Sequence, residues 1–276
     1  MKKTTHFFTH LLIILAFGLS GVYADDIQAV GKKIAADKQS NAIYQADING
    51  VKIAYKLLGS GEPLVMIMGL GATMDAWPQE LTDLLSKEYQ LILFDNRGMG
   101  HSTANETKFT YTLFAEDVLA LMDKLEIKKA HVLGYSMGSV ITQELLLSSS
   151  ERFKKAIIYA SSTDGLEVTK NLEGRLPNHP IVKRQFEASK EWKTPLEKLS
   201  LVENHVMFIV GTSDLVVGTI PTKTMATTIP NAWMLQFKNA GHSLINQAPV
   251  KFAKSVLFFL QMQEIPCQKS PSKPSN

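Results

Sequence analysis

Three residues whose side chains cooperate in nucleophilic catalysis follow the ends of apolar runs in this chain. Ser136 comes directly after one apolar run, and Asp214 and His242 come shortly after two later ones. A serine hydroxyl becomes a nucleophile when an imidazole accepts its proton and a carboxylate fixes the tautomer of that imidazole. The chain therefore contains the three groups that acyl transfer needs, in the order serine, aspartate, histidine.

The segment around Ser136 predicts a sharp turn between a strand and a helix. Ser136 is the centre of Gly134-Tyr135-Ser136-Met137-Gly138, with an apolar run before it and a helix-compatible segment after it. Glycines two residues before and two residues after the serine let the backbone bend tightly, so that the hydroxyl projects from the sheet edge. Because so short a pattern also recurs by chance, its meaning depends on the elements around it.

The elements that must position these residues alternate between buried strands and helices. Strands are predicted over residues 44–48, 51–58, 63–68, 89–95, 131–134, 155–160, 206–210 and 234–237. Helices are predicted over residues 76–87, 111–125, 137–147 and 250–262. Continuous Val, Ile and Leu runs separated by helices indicate a parallel sheet covered on both faces. Asn49-Gly50 predicts a hairpin turn between the first two strands. The fold class is therefore α/β, with a mostly parallel eight-stranded sheet, helices on both faces and an N-terminal antiparallel hairpin.

The predicted strands bring the reactive side chains to one edge of the sheet. In an open parallel sheet, ligands bind at the carboxyl ends of the strands, and Ser136, Asp214 and His242 all follow such ends. Asp95 and Asp164 also follow strand ends. Asp164 is therefore a competing candidate for the carboxylate that orients the imidazole.

The domain organisation follows from where the alternation of strands and helices breaks. Residues 25–43 are polar and mixed, and we expect an N-terminal arm with some helix before the domain at 44–263. Residues 162–205 separate two strands by more than one crossover helix needs, which predicts an inserted short helical cap with a helix over 183–193. Residues 264–276 are rich in Pro, Ser and Lys and predict a disordered tail.

The first 24 residues predict a secretory signal peptide. Lys2 and Lys3 precede an apolar run from Leu11 to Leu19, and small residues lead to a cleavage site after Ala24. The alternative is an uncleaved membrane anchor, but the apolar run is shorter than the roughly 20 residues that a span needs. We therefore expect a periplasmic or secreted protein with no stable membrane insertion after cleavage.

Composition excludes several classes of partner and site. The formal net charge of the 276 residues is +3, and two of the positive charges belong to Lys2 and Lys3, so no nucleic-acid footprint is predicted. Cys267 is the single cysteine, so no disulfide within the chain is possible. No cluster of His, Cys, Asp and Glu has the spacing of metal ligands, and neither a metal nor a cofactor is implied.

Four motifs together resemble those of the α/β-hydrolase fold family. They are Gly134-Tyr135-Ser136-Met137-Gly138, Asp95-Asn96-Arg97-Gly98-Met99-Gly100-His101-Ser102, Gly211-Thr212-Ser213-Asp214 and Ala240-Gly241-His242. The resemblance extends from about Tyr44 to Leu260 and is greatest to the branch of small esterases, lactonases and perhydrolases. It implies Ser136 as nucleophile, His242 as general base and then general acid, and Asp214 as the orienting acid.

The same resemblance implies an oxyanion hole made of two backbone N–H groups, those of Met137 and Leu70. One position departs from the family pattern, because the usual His-Gly of this loop is Met68-Gly69 here. A backbone donor does not need the histidine side chain. A histidine side chain can also anchor the loop by hydrogen bonds, however, and the sequence does not show which residues replace those bonds here.

The residues that flank the strand ends predict a small apolar pocket. We expect Trp77, Tyr135, Leu166 and Val216 to contact substrate, next to Leu70 and Met137. The dense charges of residues 165–203 are typical of a solvated outer face and disfavour a lid that opens on lipid. The pocket suits a small apolar acyl group or a lactone ring.

These observations predict an exported serine hydrolase that cleaves small carboxylic esters or lactones through an acyl-enzyme. One alternative uses the same three residues to transfer the acyl group to hydrogen peroxide, as perhydrolases and non-metal haloperoxidases do. A second alternative is a binding protein that keeps the fold without catalysis. The oligomeric state is left open.

Overall fold

The computed structural model describes residues 26–230 and 232–263. The predictions of a signal peptide over residues 1–24 and of a disordered tail with Cys267 over residues 264–276 lie outside the described residues and stay predictions. Within the described ranges, no helix combines the length and the apolar character that crossing a bilayer requires.

One mixed sheet forms the centre of the molecule. Its strands β1 to β9 are Lys32–Ala36, Ala42–Ile48, Val51–Leu58, Glu62–Ile67, Tyr89–Phe94, Ala130–Tyr135, Phe153–Tyr159, His205–Gly211 and Trp233–Phe237. They are ordered β1-β2-β3-β5-β4-β6-β7-β8-β9. The strands from β4 to β9 pair in parallel, and β1, β2 and β3 add antiparallel pairs next to β5. The predicted α/β class and mostly parallel sheet are confirmed, while the described residues form nine strands and not eight.

The extra strand is β1, which lies in the segment expected to be an arm with some helix. Lys32–Ala36 pairs with β2, so these residues extend the sheet beyond the predicted hairpin. The prediction of helix was wrong. This strand has only five residues and no clear alternation of apolar and polar side chains, and pairing with the edge of the sheet stabilises the extended conformation. The hairpin itself turns at Asn49 and Gly50, whose φ angles are 46° and 75°.

Helices cover both faces of the sheet. Helices α1 to α9 are Gln79–Leu85, Tyr111–Lys124, Met137–Ser149, Gly165–Leu172, Pro180–Lys190, Leu196–Leu199, Ile220–Thr228, Leu244–Gln247 and Pro249–Gln261. Along β4, Val65 and Ile67 pack into the cluster below α2 and α3, whereas Leu64 and Met66 pack into the cluster below α1 and α9. Successive side chains of a strand point to opposite faces, so one apolar run supplies both cores.

The insertion between β7 and β8 contains α4, α5 and α6. Helix α5 begins at Pro180, three residues before the predicted start, because proline at the first helical position has a φ angle that suits a helix and needs no N–H partner there. Helices α4, α6, α7 and α8 were not predicted from the sequence. All four have nine residues or fewer, which makes a helical period hard to detect.

A buried ion pair ties the loop after β5 to helix α2. Arg97 Nε and Nη2 donate to Asp117 Oδ2 and Oδ1, each at 2.6 Å, and Asn49 Nδ2 donates to Asp117 Oδ1 at 3.0 Å. The side chains of Arg97 and Asp117 are 0% and 3% exposed. Arg97 therefore has a structural role, because it joins the loop after β5 to helix α2.

Removing the carboxylate of this pair is expected to leave a buried positive charge without its partner. Asp117→Asn should lower the free energy of unfolding by about 3 kcal/mol, measured by urea denaturation at pH 7. Asp123→Asn is the matched control on the same helix, because its pair with Arg152 is exposed and should cost less than about 1 kcal/mol. Equal losses in the two variants would contradict this account of Arg97.

Candidate active site

The backbone at Ser136 is held in a conformation that residues other than glycine seldom adopt. Its φ and ψ angles are 53° and −116°, at the junction of β6 and α3. Ser136 N–H donates to the Tyr159 carbonyl at 2.9 Å, and the Ser136 carbonyl accepts from Ser139 N–H at 2.9 Å and from Ser139 Oγ at 2.5 Å. These bonds offset the strain, which is of the order of 1–3 kcal/mol for such a residue.

Two glycines allow the strand and the helix to approach closely enough for this turn. A Cβ atom at Gly134 would collide with the Gly138 carbonyl oxygen and with Thr142 Oγ1. A Cβ atom at Gly138 would collide with the Ile67 carbonyl oxygen and would lie 3.0 Å from that of Met68. The glycines two residues before and after the serine are therefore required by backbone contacts.

Ser136, His242 and Asp214 form a continuous chain of hydrogen bonds. His242 Nε2 is 2.9 Å from Ser136 Oγ, and His242 Nδ1 is 2.9 Å from Asp214 Oδ2. A carboxylate only accepts, so Nδ1 carries the proton that it donates to Asp214. In the neutral ring, Nε2 is then the acceptor for the Ser136 hydroxyl.

The loops that carry His242 and Asp214 are fixed by backbone contacts. Asp214 Oδ1 accepts from the N–H groups of Val216 and Val217 at 2.9 and 3.1 Å. The Tyr159 hydroxyl donates to the His242 carbonyl. Burial raises the pKa of Tyr159, so the hydroxyl stays protonated and remains a donor. The Tyr135 ring stacks on Tyr159 and lies 5.4 Å from the imidazole ring of His242.

The competing carboxylate, Asp164, has a different function in the fold. Asp164 is the N-cap of α4, where its Oδ1 accepts from Leu166 N–H at 2.9 Å. Its other carboxylate oxygen is 3.7 Å from Lys193 Nζ. Of the two aspartates, Asp214 is the one that contacts His242.

The two backbone donors expected for an oxyanion hole lie beside Ser136. Met137 is the first residue of α3, so its N–H has no partner within the helix and lies at the positive end of the helix dipole. The loop after β4 passes directly over the serine, because a Cβ atom at Gly69 would lie 3.2 Å from Ser136 Cβ. Leu70 and Met137 line the same small cavity as Ser136.

The loop that lacks the usual histidine is anchored by other residues. Asn96 Nδ2 donates to the Met68 carbonyl at 3.2 Å, and Met74 N–H donates to Asp95 Oδ1 at 2.8 Å. On the other side, Gly71 N–H donates to Gln185 Oε1 of the cap helix α5 at 2.9 Å. The loop is therefore held both by the motif that follows β5 and by the cap.

The cavity at Ser136 is small and mainly apolar. Its volume is about 30 Å³, and it is lined by Leu70, Tyr111, Ser136, Met137, Val140, Ala160, Ser162, Gly165, Val168, Leu172, Ser189, Trp192 and Val217. The Tyr111 hydroxyl lies 2.6 Å from Ser189 Oγ and joins the core to the cap inside this cavity. Burial raises the pKa of Tyr111 to about 12, so the hydroxyl is neutral.

None of the four residues predicted to contact substrate lines this cavity. Trp77 is 5% exposed and packs against Tyr135, with ring centres 6.4 Å apart. Leu166 is 47% exposed on α4, and the backbone of Val216 bonds to Asp214 and Asn171. Proximity to a strand end placed these residues near the site but did not determine which way each side chain points.

Sequence reasoning did not identify the cap residues that complete the cavity. Ser189 and Trp192 line the cavity, and Gln185 bonds to the loop beside it. All three lie on or next to α5, so only docking of the cap brings them over the sheet edge. The one signal in the sequence was Trp192, an apolar side chain in a charged segment. The described residues contain no group of three or more His, Cys, Asp or Glu placed to hold a metal ion.

Comparisons with known proteins identify related sequences and folds. A family model described as alpha/beta hydrolase fold matches residues 62–191. A putative non-heme chloroperoxidase of Synechocystis sp. is 36% identical over 111 residues, which cover 40% of this chain and 40% of that protein. A putative carbamate hydrolase of Azorhizobium caulinodans is 30% identical over 104 residues, which cover 38% of this chain and 39% of that protein. The matched segments thus span well under half the length of these relatives.

A solved structure shares the fold over a longer stretch. The enol-lactonase of Burkholderia xenovorans LB400 superposes with a TM-score of 0.69, covering 79% of this chain and 100% of that chain at 22% identity. The sheet topology, the strand–turn–helix at Ser136 and the matching family model agree with one another. The chain therefore has the alpha/beta hydrolase fold.

Proposed function

We propose that the protein is a serine hydrolase that cleaves small carboxylic esters or lactones through an acyl-enzyme. The observation that carries this proposal is the hydrogen-bonded chain from Ser136 Oγ through His242 to Asp214, with the Leu70 and Met137 backbone beside it. The enol-lactonase and the carbamate hydrolase among the related proteins support a hydrolase that acts on small molecules.

Acylation begins when Ser136 Oγ attacks the carbonyl carbon of the substrate. His242 Nε2 accepts the hydroxyl proton, and the carbonyl oxygen, which becomes negative, binds the N–H groups of Leu70 and Met137. The tetrahedral intermediate collapses as His242 gives its proton to the leaving alkoxide oxygen. A lactone follows the same course, except that its alkoxide remains attached to the acyl group.

Deacylation repeats these steps with water. His242 Nε2 takes a proton from a water molecule that attacks the ester of Ser136, and the acid leaves when Ser136 Oγ is protonated again. Asp214 stabilises the imidazolium in both halves of the reaction, and its buried carboxylate keeps the proton of the neutral ring on Nδ1.

The size of the cavity supports a short acyl group. A volume of about 30 Å³ has room for about two water molecules, and most of its lining is apolar. A long acyl chain would need displacement of α4 or α5. We therefore infer that the preferred substrates carry acetyl-sized or slightly larger acyl groups, or a small ring.

Transfer of the acyl group to peroxide is a second candidate function. The similarity to a putative non-heme chloroperoxidase favours it, and hydrogen peroxide is small enough for the cavity. Peracid formation from acetate and hydrogen peroxide, compared with the rate of ester hydrolysis, separates the two functions. A binding protein without catalysis is the least favoured reading, because all three reactive groups are in contact.

Replacing the nucleophile should abolish turnover without unfolding the protein. Ser136→Ala is expected to lower the kcat for p-nitrophenyl acetate by at least about 10³-fold and to prevent covalent labelling by a fluorophosphonate. Ser148→Ala, at an exposed serine further along the same helix α3, is the matched control and should still be labelled. Retained esterase activity in Ser136→Ala would refute the mechanism.

The two aspartates should differ sharply in their effect on catalysis. Asp214→Asn replaces the carboxylate by a neutral amide whose NH2 can donate to His242 Nδ1 and so favour the wrong tautomer, and kcat should fall by roughly 10³-fold or more. Asp164→Asn keeps an N-cap acceptor for α4, and its kcat should change by less than about threefold. Steady-state kinetics of both variants decide the matter, and the opposite order would move the acid to Asp164.

Acyl-chain length should limit activity steeply. For p-nitrophenyl esters, we expect kcat/KM to fall by more than about tenfold between the acetyl and octanoyl substrates, because the longer chain exceeds the cavity. Leu172→Ala enlarges the cavity and should raise the relative rate for the octanoyl ester, whereas Leu201→Ala, at a leucine that is 77% exposed, should not. Preference of the wild-type enzyme for octanoyl esters would contradict the proposed substrate size.

A further inference from the structure

We propose that Gln185 of the cap is a positioning residue for the oxyanion hole, so that docking of α5 completes the catalytic geometry. This inference rests on the proposed serine hydrolase function. Gln185 is fully buried, and its Oε1 accepts from Gly71 N–H at 2.9 Å. Gly71 is the residue after Leu70, whose N–H is the proposed donor to the oxyanion.

The oxyanion loop is the segment from Met68 to Gly71, which carries the proposed Leu70 donor. Its three consecutive peptide planes are each fixed by one hydrogen bond. The plane between Met68 and Gly69 is fixed by Asn96, which donates to the Met68 carbonyl. The next plane carries the Gly69 carbonyl, which accepts from Ala72 N–H at 3.3 Å, together with the N–H of Leu70. The third plane carries Gly71 N–H, and its partner is Gln185.

The direction of the Leu70 N–H therefore depends on both of its neighbouring planes. A peptide plane turns about the φ and ψ angles of its flanking residues, and here those residues are Gly69 and Leu70. Gly71 has a φ of +73°, so the chain also bends sharply just after the donor. Without the bond to Gln185, no other hydrogen bond in the described part of the chain holds the third plane.

The chemistry of the Gln185 side chain points to its acceptor as the useful group. Gly71 N–H can only donate, which assigns Oε1 to this contact. The Nε2 of Gln185 is buried and has no hydrogen-bond partner in the described part of the chain. A buried amide whose NH2 group has no hydrogen-bond partner lowers the stability of a core. The presence of Gln185 here is therefore explained by the hydrogen bond that its Oε1 accepts.

Helix α5 is docked firmly enough to act as a support. Arg184 Nη2 donates to the carbonyls of Asn105 and Thr107 at 2.8 and 2.6 Å, and its guanidinium lies 3.8 Å from the centre of the Phe109 ring. Val182, one turn before Gln185, packs on Gly71. A positioning group on a rigid helix transmits a fixed geometry to the loop.

Loss of this support should affect the transition state more than substrate binding. The oxyanion forms only as the carbonyl is attacked, so a displaced Leu70 N–H lowers kcat and leaves KM nearly unchanged. A purely structural role for Gln185 would instead lower the amount of folded enzyme without changing the rate of each competent site.

The test compares two substitutions at this position. Gln185→Met keeps the length of the side chain and replaces the amide by a thioether, a weak acceptor, whereas Gln185→Glu keeps a carbonyl acceptor. With p-nitrophenyl acetate, and with sites counted by end-point fluorophosphonate titration, kcat per site should fall about tenfold in Gln185→Met and remain within about threefold of wild type in Gln185→Glu. Hydrogen exchange of the peptide containing Gly71 should accelerate in Gln185→Met.

Glu191→Gln is the matched control at the end of the same helix. Its exposed pair with Lys108 joins the cap to the core without touching the oxyanion loop, so kcat per site should match wild type. Wild-type kcat per site in Gln185→Met, or equal losses in Gln185→Met and Gln185→Glu, would overturn the inference. Failure of the proposed function has a different signature, because wild-type enzyme would then neither hydrolyse the ester nor be labelled at Ser136.

Discussion

The arrangement of the site depends on one carboxylate that has no access to water. The side chain of Asp214 is 0% exposed, and a buried charge is costly unless donors surround it. Here Val216 N–H, Val217 N–H and His242 Nδ1–H supply them. Because the last of these donors is part of the imidazole, satisfying the carboxylate also decides which nitrogen of His242 is free to face Ser136.

The sequence was most informative where a property is local. The continuous apolar run of a strand such as β4 and the glycines beside Ser136 depend on near neighbours, and both could be predicted. The cavity wall could not, since a position after a strand end does not determine the direction of a side chain such as Trp77. Strand β1 was missed for a related reason, because an edge strand is stabilised by its partner β2 and carries little pattern of its own.

The departure at Met68 illustrates how a site can keep its geometry with different side chains. Met68 contributes only its backbone to the site. The loop is held by hydrogen bonds to the side chains of Asn96, Asp95 and Gln185. Two of these residues belong to the loop after β5, and one belongs to the cap. The loop beside the proposed donor is therefore anchored by residues distant from it in sequence.

The close approach of Gly138 to the carbonyl oxygen of Ile67, which leaves no room for a side chain, separates what can vary at the site from what cannot. Ile67 ends the strand that leads to Leu70, and Gly138 follows Met137. The backbone contact between Ile67 and Gly138 therefore sets the distance between the segments that carry the two proposed donors. Cap side chains that line the cavity without bonding to this loop, such as Leu172, can change in size without altering the spacing of these donors. Selection for new substrates can thus act on those side chains, while the main-chain geometry around Ser136 is kept.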